Sequence, residues 1–135
     1  MASSDYVSVH CPLNDSTRHL LGQRELALLR PTAYLINTAR GPIVDQSALL
    51  EALTTHAIAG AGLDVFEEEP LPADHPMRSL DNVVLTPHSA SVSVESSLEC
   101  RRAAIEHVVT FLRGGVPSDL VNRAVLRQGG ALVGE

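Results

Sequence analysis

The chain has 135 residues, 44% of them hydrophobic but only 3% aromatic and none Trp, so one small domain with a core of Leu, Val, Ile and Ala is expected. Its formal net charge of −6 argues against nucleic acid as a partner, which needs a basic surface, and against a polybasic membrane anchor. Cys11 and Cys100 lie far apart with no CxxC pair, no secretory signal opens the chain, and no apolar run can span a bilayer, so two reduced thiols in a soluble, cytoplasmic protein are expected.

The first element is a strand at 6–10, a β-branched run stopped by Pro12, which has no N–H to give a ladder. Asn14, Asp15, Ser16 and Thr17 offer turn and N-cap chemistry, with a short helix expected at 17–21 and a second at 23–30 that stops before Pro31. A strand at 33–37 is broken by Thr38, Ala39, Arg40, Gly41 and Pro42. Asp45 or Ser47 can cap the next helix, whose apolar face carries Leu49, Leu50 and Leu53. A strand at 58–65 leads into an acidic, proline-punctuated loop at 67–77. A fourth strand at 82–86 ends before Pro87 and His88. A long helix at 92–113, striped with Val94, Leu98, Ile105, Val108, Val109 and Leu112, ends at Gly114 and Gly115. The polar tail is expected to be loose.

Strands alternating with helices predict an α/β fold: a partial Rossmann-like, doubly wound parallel sheet of about four strands with flanking helices. Ligands bind such sheets at the carboxyl ends of the strands. The polar outliers fall there on all four strands: His10, then Thr38 and Arg40, then Asp64 and Glu69, then His88.

Each of these side chains has a chemical reading and a plainer one. Arg40 can grip a carboxylate through two parallel hydrogen bonds, or sit in a surface salt bridge. His88 can serve as a general acid-base near neutral pH, or cap a strand end. One carboxylate of the run Glu67, Glu68, Glu69 can pair with His88, fix its tautomer and stabilise its protonated form; otherwise the run is a solvated face. Asp64 can accept a hydrogen bond from a cofactor amide, or cap the turn that follows it. The six histidines show no HxxxH or HExxH spacing, so no metal is expected.

Read together, NTARGPIVD at 37–45, GAGLDVFEEEP at 60–70 and TPH at 86–88 resemble the motifs of the NAD-dependent, D-isomer-specific 2-hydroxyacid dehydrogenases. VHCPL at 9–13 and STRHL at 16–20 fit the same pattern, and the similarity runs from about residue 5 to residue 125. The resemblance implies that Arg40 holds the substrate's carboxylate and carbonyl, that Glu69, immediately before Pro70, is the catalytic glutamate, and that His88 protonates the carbonyl oxygen as hydride arrives. It further implies that Asp64 holds the nicotinamide carboxamide. Thr38 and Ala39 would line the nicotinamide side, Arg40 and His88 would border the cofactor, and His10, Cys11 and Pro12 would pass near its ribose and phosphates. The implied cofactor is NAD, with NADP left open, and the implied substrate a small 2-keto or 2-hydroxy acid.

The family's phosphate-binding GxGxxG occurs nowhere in the chain. Residues 1–126 are therefore read as the C-terminal, catalytic half of an NAD-binding dehydrogenase domain and 127–135 as a flexible tail, with the phosphate-binding half and the substrate domain absent. Ser89-Ala90-Ser91 stands where many members place a glycine. The alternative function is a truncated or non-catalytic family fragment that acts as a corepressor-like interaction module. With no neighbour on its outer side, the strand at 6–10 is expected to pair with a second copy of the chain or with a complementing segment.

Overall fold

The computed structural model describes residues 1–122 in two compact units, one of Met1–Ala90 and a second that begins at Ser91. The expected tail at 127–135 lies outside the described residues. In the first unit four strands, β1 (Tyr6–Val9), β2 (Tyr34–Asn37), β3 (Gly60–Leu63) and β4 (Val83–Leu85), form one sheet in the order β1-β2-β3-β4, and every pair is parallel. The α/β reading of the sequence is borne out. A parallel sheet with simple sequential order sends all four strand C-termini to one edge, and that edge collects the polar residues.

Register explains the alternation in the strands. Val7, Leu35, Ala61 and Val83 lie in one row across the sheet, and Val9, Asn37, Leu63 and Leu85 in the next on the same face. The apolar members of these rows join Leu26, Leu49, Leu53, Ile58 and Met77 in a single core. Tyr6 pairs with Tyr34 on the opposite face, where their rings stack with centroids 5.7 Å apart.

Helix α2 (Gln46–Thr54) begins at Asp45, whose side chain accepts from Ala48 N, and it buries Leu49, Ala52 and Leu53. The expected helix at 17–21 does not form. Asn14 and Thr17 spend their side chains on nearby backbone: Ser16 N donates to Asn14 Oδ1, and Thr17 Oγ1 donates to Pro12 O. Such local bonds compete with a helical ladder. His19 then takes a left-handed φ of 50°, and Leu21 pairs in parallel with Val44 instead. The expected helix at 23–30 shrinks to one turn, α1 (Gln23–Leu26), and the loop at 67–77 runs into a 3-10 turn at Pro76–Ser79.

In the second unit α3 (Val94–Leu112) opens with a capping box between Ser93 and Ser96. It ends as expected at Gly114, with φ 78°, where Gly114 N and Gly115 N donate back to Phe111 O and Thr110 O. Beyond it, Val116, Pro117 and Leu120 lie beside Val108, Phe111 and Leu112.

Candidate active site

Three loops at the carboxyl edge of the sheet build the site. The first follows β2. Asn37, 1% exposed, holds it from below: its Oδ1 accepts from Ala39 N and its Nδ2 donates to Arg40 O. Thr38 and Arg40 are left exposed on the rim. Gly41 comes next because no larger residue fits. A Cβ at that position would lie 1.9 Å from the carbonyl carbon and oxygen of Phe66 and 2.6 Å from Glu67 N. The loop after β2 and the loop after β3 therefore run in backbone contact.

The loop after β3 carries Glu69. Its Oε1 accepts from Phe66 N at 2.9 Å, which folds the carboxylate back over its own loop, and the Glu69–Pro70 peptide is cis. Its Oε2 lies 2.7 Å from His88 Nδ1, with both side chains about one-third to one-half exposed. The hydrogen bond with His88, then that from Phe66 N, hold the Glu69 carboxyl below its ordinary value against partial desolvation, and the positive charge of Arg40 acts in the same direction.

His88 sits three residues past β4 in a left-handed conformation, φ 54°. Asp64 imposes that turn. Its backbone carbonyl accepts from His88 N at 2.8 Å, and its carboxylate accepts from Thr86 Oγ1, from Ser89 N at 2.8 Å and from Ala90 N at 2.8 Å. Asp64 is 3% exposed. Desolvation alone would raise its pKa, but the hydrogen bonds from Thr86, Ala90 and Ser89 outweigh burial and hold the carboxyl below its ordinary value. Of the two readings of Asp64, the capped turn is the one the geometry displays.

The loop after β1 contributes less. His10 Nε2 lies 2.8 Å from Ser8 Oγ, Cys11 packs against the core, and Pro12 lends its carbonyl to Thr17. A cavity of about 500 Å³ opens beside the dyad, walled by Phe66, Leu71, Leu85 and Pro87, with Glu69 and His88 at its border.

Sequence reasoning had passed over four residues that bond within these loops: Thr86, which donates to Asp64; Phe66, whose N–H donates to Glu69; and Gln46 and His19, which both bond Glu67. His19 lies inside the STRHL motif and Thr86 inside TPH, so each carried a signal. Gln46 carried none, and a backbone N–H carries no residue identity to read.

Residues 1–90, two-thirds of the chain, match the family described as D-isomer specific 2-hydroxyacid dehydrogenase, NAD binding domain. The chain belongs to that family. It is 51% identical over 127 residues to the glyoxylate reductase of Aeropyrum pernix, covering 94% of this chain and 38% of that protein. Among solved structures it is similar to the D-lactate dehydrogenase with NAD+ from Lactobacillus jensenii, with TM-score 0.83, 34% identity, and coverage of 90% of this chain and 41% of that one. It is also similar to a D-isomer specific 2-hydroxyacid dehydrogenase from Xanthobacter autotrophicus Py2 in complex with NADPH and MES, with TM-score 0.75 and 40% identity, covering 92% and 50% of the two chains. The chain thus spans well under half the length of the family's glyoxylate reductase. The motifs at 37–45, 60–70 and 86–88, on which the family resemblance rested, all fall within the matched span.

Proposed function

We propose that the chain supplies the catalytic and nicotinamide-side part of an NAD(H)-linked D-2-hydroxyacid dehydrogenase that reduces a small 2-keto acid, of the size of glyoxylate or lactate's keto partner. The observation that carries this reading is the 2.7 Å contact between Glu69 Oε2 and His88 Nδ1 at the carboxyl edge of a parallel sheet, with Arg40 in the adjoining loop. Glu69 occupies Nδ1, so the transferable proton of His88 belongs on Nε2, facing outward from the pair. Arg40, exposed on the rim, grips the substrate carboxylate and sets the carbonyl oxygen toward that proton. In reduction His88 donates the proton to the oxygen; in oxidation the same atom takes it back.

The edge also fits a nicotinamide cofactor. Thr38 and Ala39 present a hydroxyl and a small side chain at the end of β2, and His10, Cys11 and Pro12 follow β1 at the same edge. Three donors already face the Asp64 carboxylate, which leaves it one acceptor position for a carboxamide N–H. When bound, the cofactor supplies the hydride. Its 2′-position, which separates NAD from NADP, is read by residues outside this set. The Arg40, Glu69 and His88 set supports the enzymatic reading over an interaction module. The test is 2-keto acid reduction by a protein that carries this segment together with the further length found in its relatives, and the loss of that activity in His88→Ala.

Two further readings accompany it. Among the described residues β1 has a paired neighbour on one side only, and residues 6–9 hold neither lysine nor proline to block its outer edge. The chain pairs through that edge with a second copy or a complementing segment. Light scattering of the purified chain checks this: association that disappears in Val7→Pro supports it, and a monomer at high concentration contradicts it. Its location is the cytoplasm, a reading supported by two free thiols and by the lack of any described helix long and apolar enough to cross a membrane.

A further inference from the structure

Glu67, two residues before Glu69, holds the base of the catalytic loop through a set of contacts outside the catalytic trio. Its N–H donates to Gln46 Oε1 at 3.0 Å, and its Oε1 accepts from Gln46 N at 3.2 Å. The two residues thus exchange hydrogen bonds across 21 positions of sequence. The same Oε1 lies 2.8 Å from His19 Nε2, in the turn whose backbone N–H donates to Pro42 O. Gln46 N is an N-terminal donor of α2 that the helix cannot satisfy, and a carboxylate there is favoured by charge as well as by hydrogen bonding.

We infer that Gln46 is a positioning residue for Glu69: with Glu67 it clamps the start of the acidic loop to the N-terminus of α2, and so fixes the carboxylate that meets His88. The inference rests on the proposed role of the Glu69 and His88 pair. The mechanical link is short. Phe66, whose N–H orients Glu69 Oε1, precedes the clamped residue directly, and its carbonyl is pressed against Gly41. Residues 66 and 67 are therefore fixed from two sides, by Gly41 and by Gln46. Release of the Gln46 side leaves the turn from 66 to 69 free to open, and the Phe66 and His88 contacts of Glu69 loosen with it. Among the described residues Gln46 makes no hydrogen bond with His88 or Arg40; it reaches Glu69 through Glu67, while its Nε2 lies 3.1 Å from His75 Nε2 at the far end of the same loop.

The test follows the Glu69 side-chain carboxyl by carbon NMR in the full chain across the acidic pH range. The Glu67 carboxyl carbon is assigned separately. Gln46→Met keeps the length of the side chain and removes its acceptor. The expected result is a Glu69 midpoint that moves up toward that of an ordinary glutamate, with most of its response to His88→Ala lost, while the chain still unfolds in one transition. Glu67→Ala, which keeps the backbone donor at 67 but removes the carboxylate that accepts from Gln46 N, leaves α2's own sequence untouched and should move the midpoint in the same direction. Glu67→Gln, which keeps an acceptor for Gln46 N, should largely spare it. An unchanged Glu69 midpoint in both Gln46→Met and Glu67→Ala, even with lowered thermal stability, would overturn the proposal and leave the clamp a purely structural feature. The readout requires no turnover. A moved midpoint in a chain whose longer counterpart reduces no keto acid would uphold the clamp and sink the functional reading instead.

Discussion

Glu69 and Glu67 stand two residues apart in a run of three acids, yet their surroundings differ. Glu69 bonds His88 and the Phe66 N–H, whereas Glu67 bonds His19 and Gln46. Glu69→Gln removes the charge that meets His88 Nδ1, and reduction of a keto acid by a protein carrying this segment should slow markedly. Glu67→Gln should leave that rate near the parent's; a loss in that variant alone would show that the wrong acid was chosen. Asp64 makes a prediction for stability. Its folded-state pKa lies below the ordinary aspartate value, so the stability it contributes is present above that value and is lost as pH falls through the lowered one. Asp64→Asn should cost about 1–3 kcal/mol at neutral pH. It should also flatten the acid side of a plot of thermal midpoint against pH, and parallel curves for the two proteins would contradict the assignment.

At the scale of elements, what was legible in the sequence depended on whether side chains or long-range contacts decided the structure. Helix α2 was legible because Asp45 caps it and Leu49 and Leu53 repeat at helical spacing. The strands were legible as apolar runs, though each proved shorter than the run that announced it, since residues such as Ile58 and Val65 are buried without belonging to the ladder. The segment at 17–21 misled because its Ser and Thr serve a turn as well as they serve a cap, and the choice was made by Pro42, Ile43 and Val44, more than 20 residues away in sequence. The clamp at Gln46 was invisible for the same reason. Gly41 is the clearest element-scale test. Gly41→Ala sets a methyl group into the Phe66 backbone and should cost at least about 1–3 kcal/mol, the usual toll of overpacking, in urea denaturation. It should also part the Arg40 and Glu69 loops. A variant as stable as the parent would mean that these loops do not pack as described.

At the scale of the molecule, the parallel order β1-β2-β3-β4 accounts for why residues spread from His10 to His88 gather at one edge: they follow different strands, and all four strands end there. That convergence was readable in outline before any coordinates, because polar residues closed every apolar run. The hydrogen bonds that the Asp64 carboxylate accepts from Ser89 N and Ala90 N were not, because they join a side chain to backbone groups more than 20 residues on. The direct trial of the account is steady-state reduction of a small 2-keto acid by a protein that contains this segment with the further length of its relatives. Wild type is compared there with His88→Ala and Arg40→Lys. The account predicts that His88→Ala lowers kcat/KM by roughly 10²–10⁴-fold, the usual contribution of a general acid-base. Arg40→Lys should lose nearly as much, because lysine cannot reproduce the two-point grip on a carboxylate. Near-normal rates in either variant would contradict it.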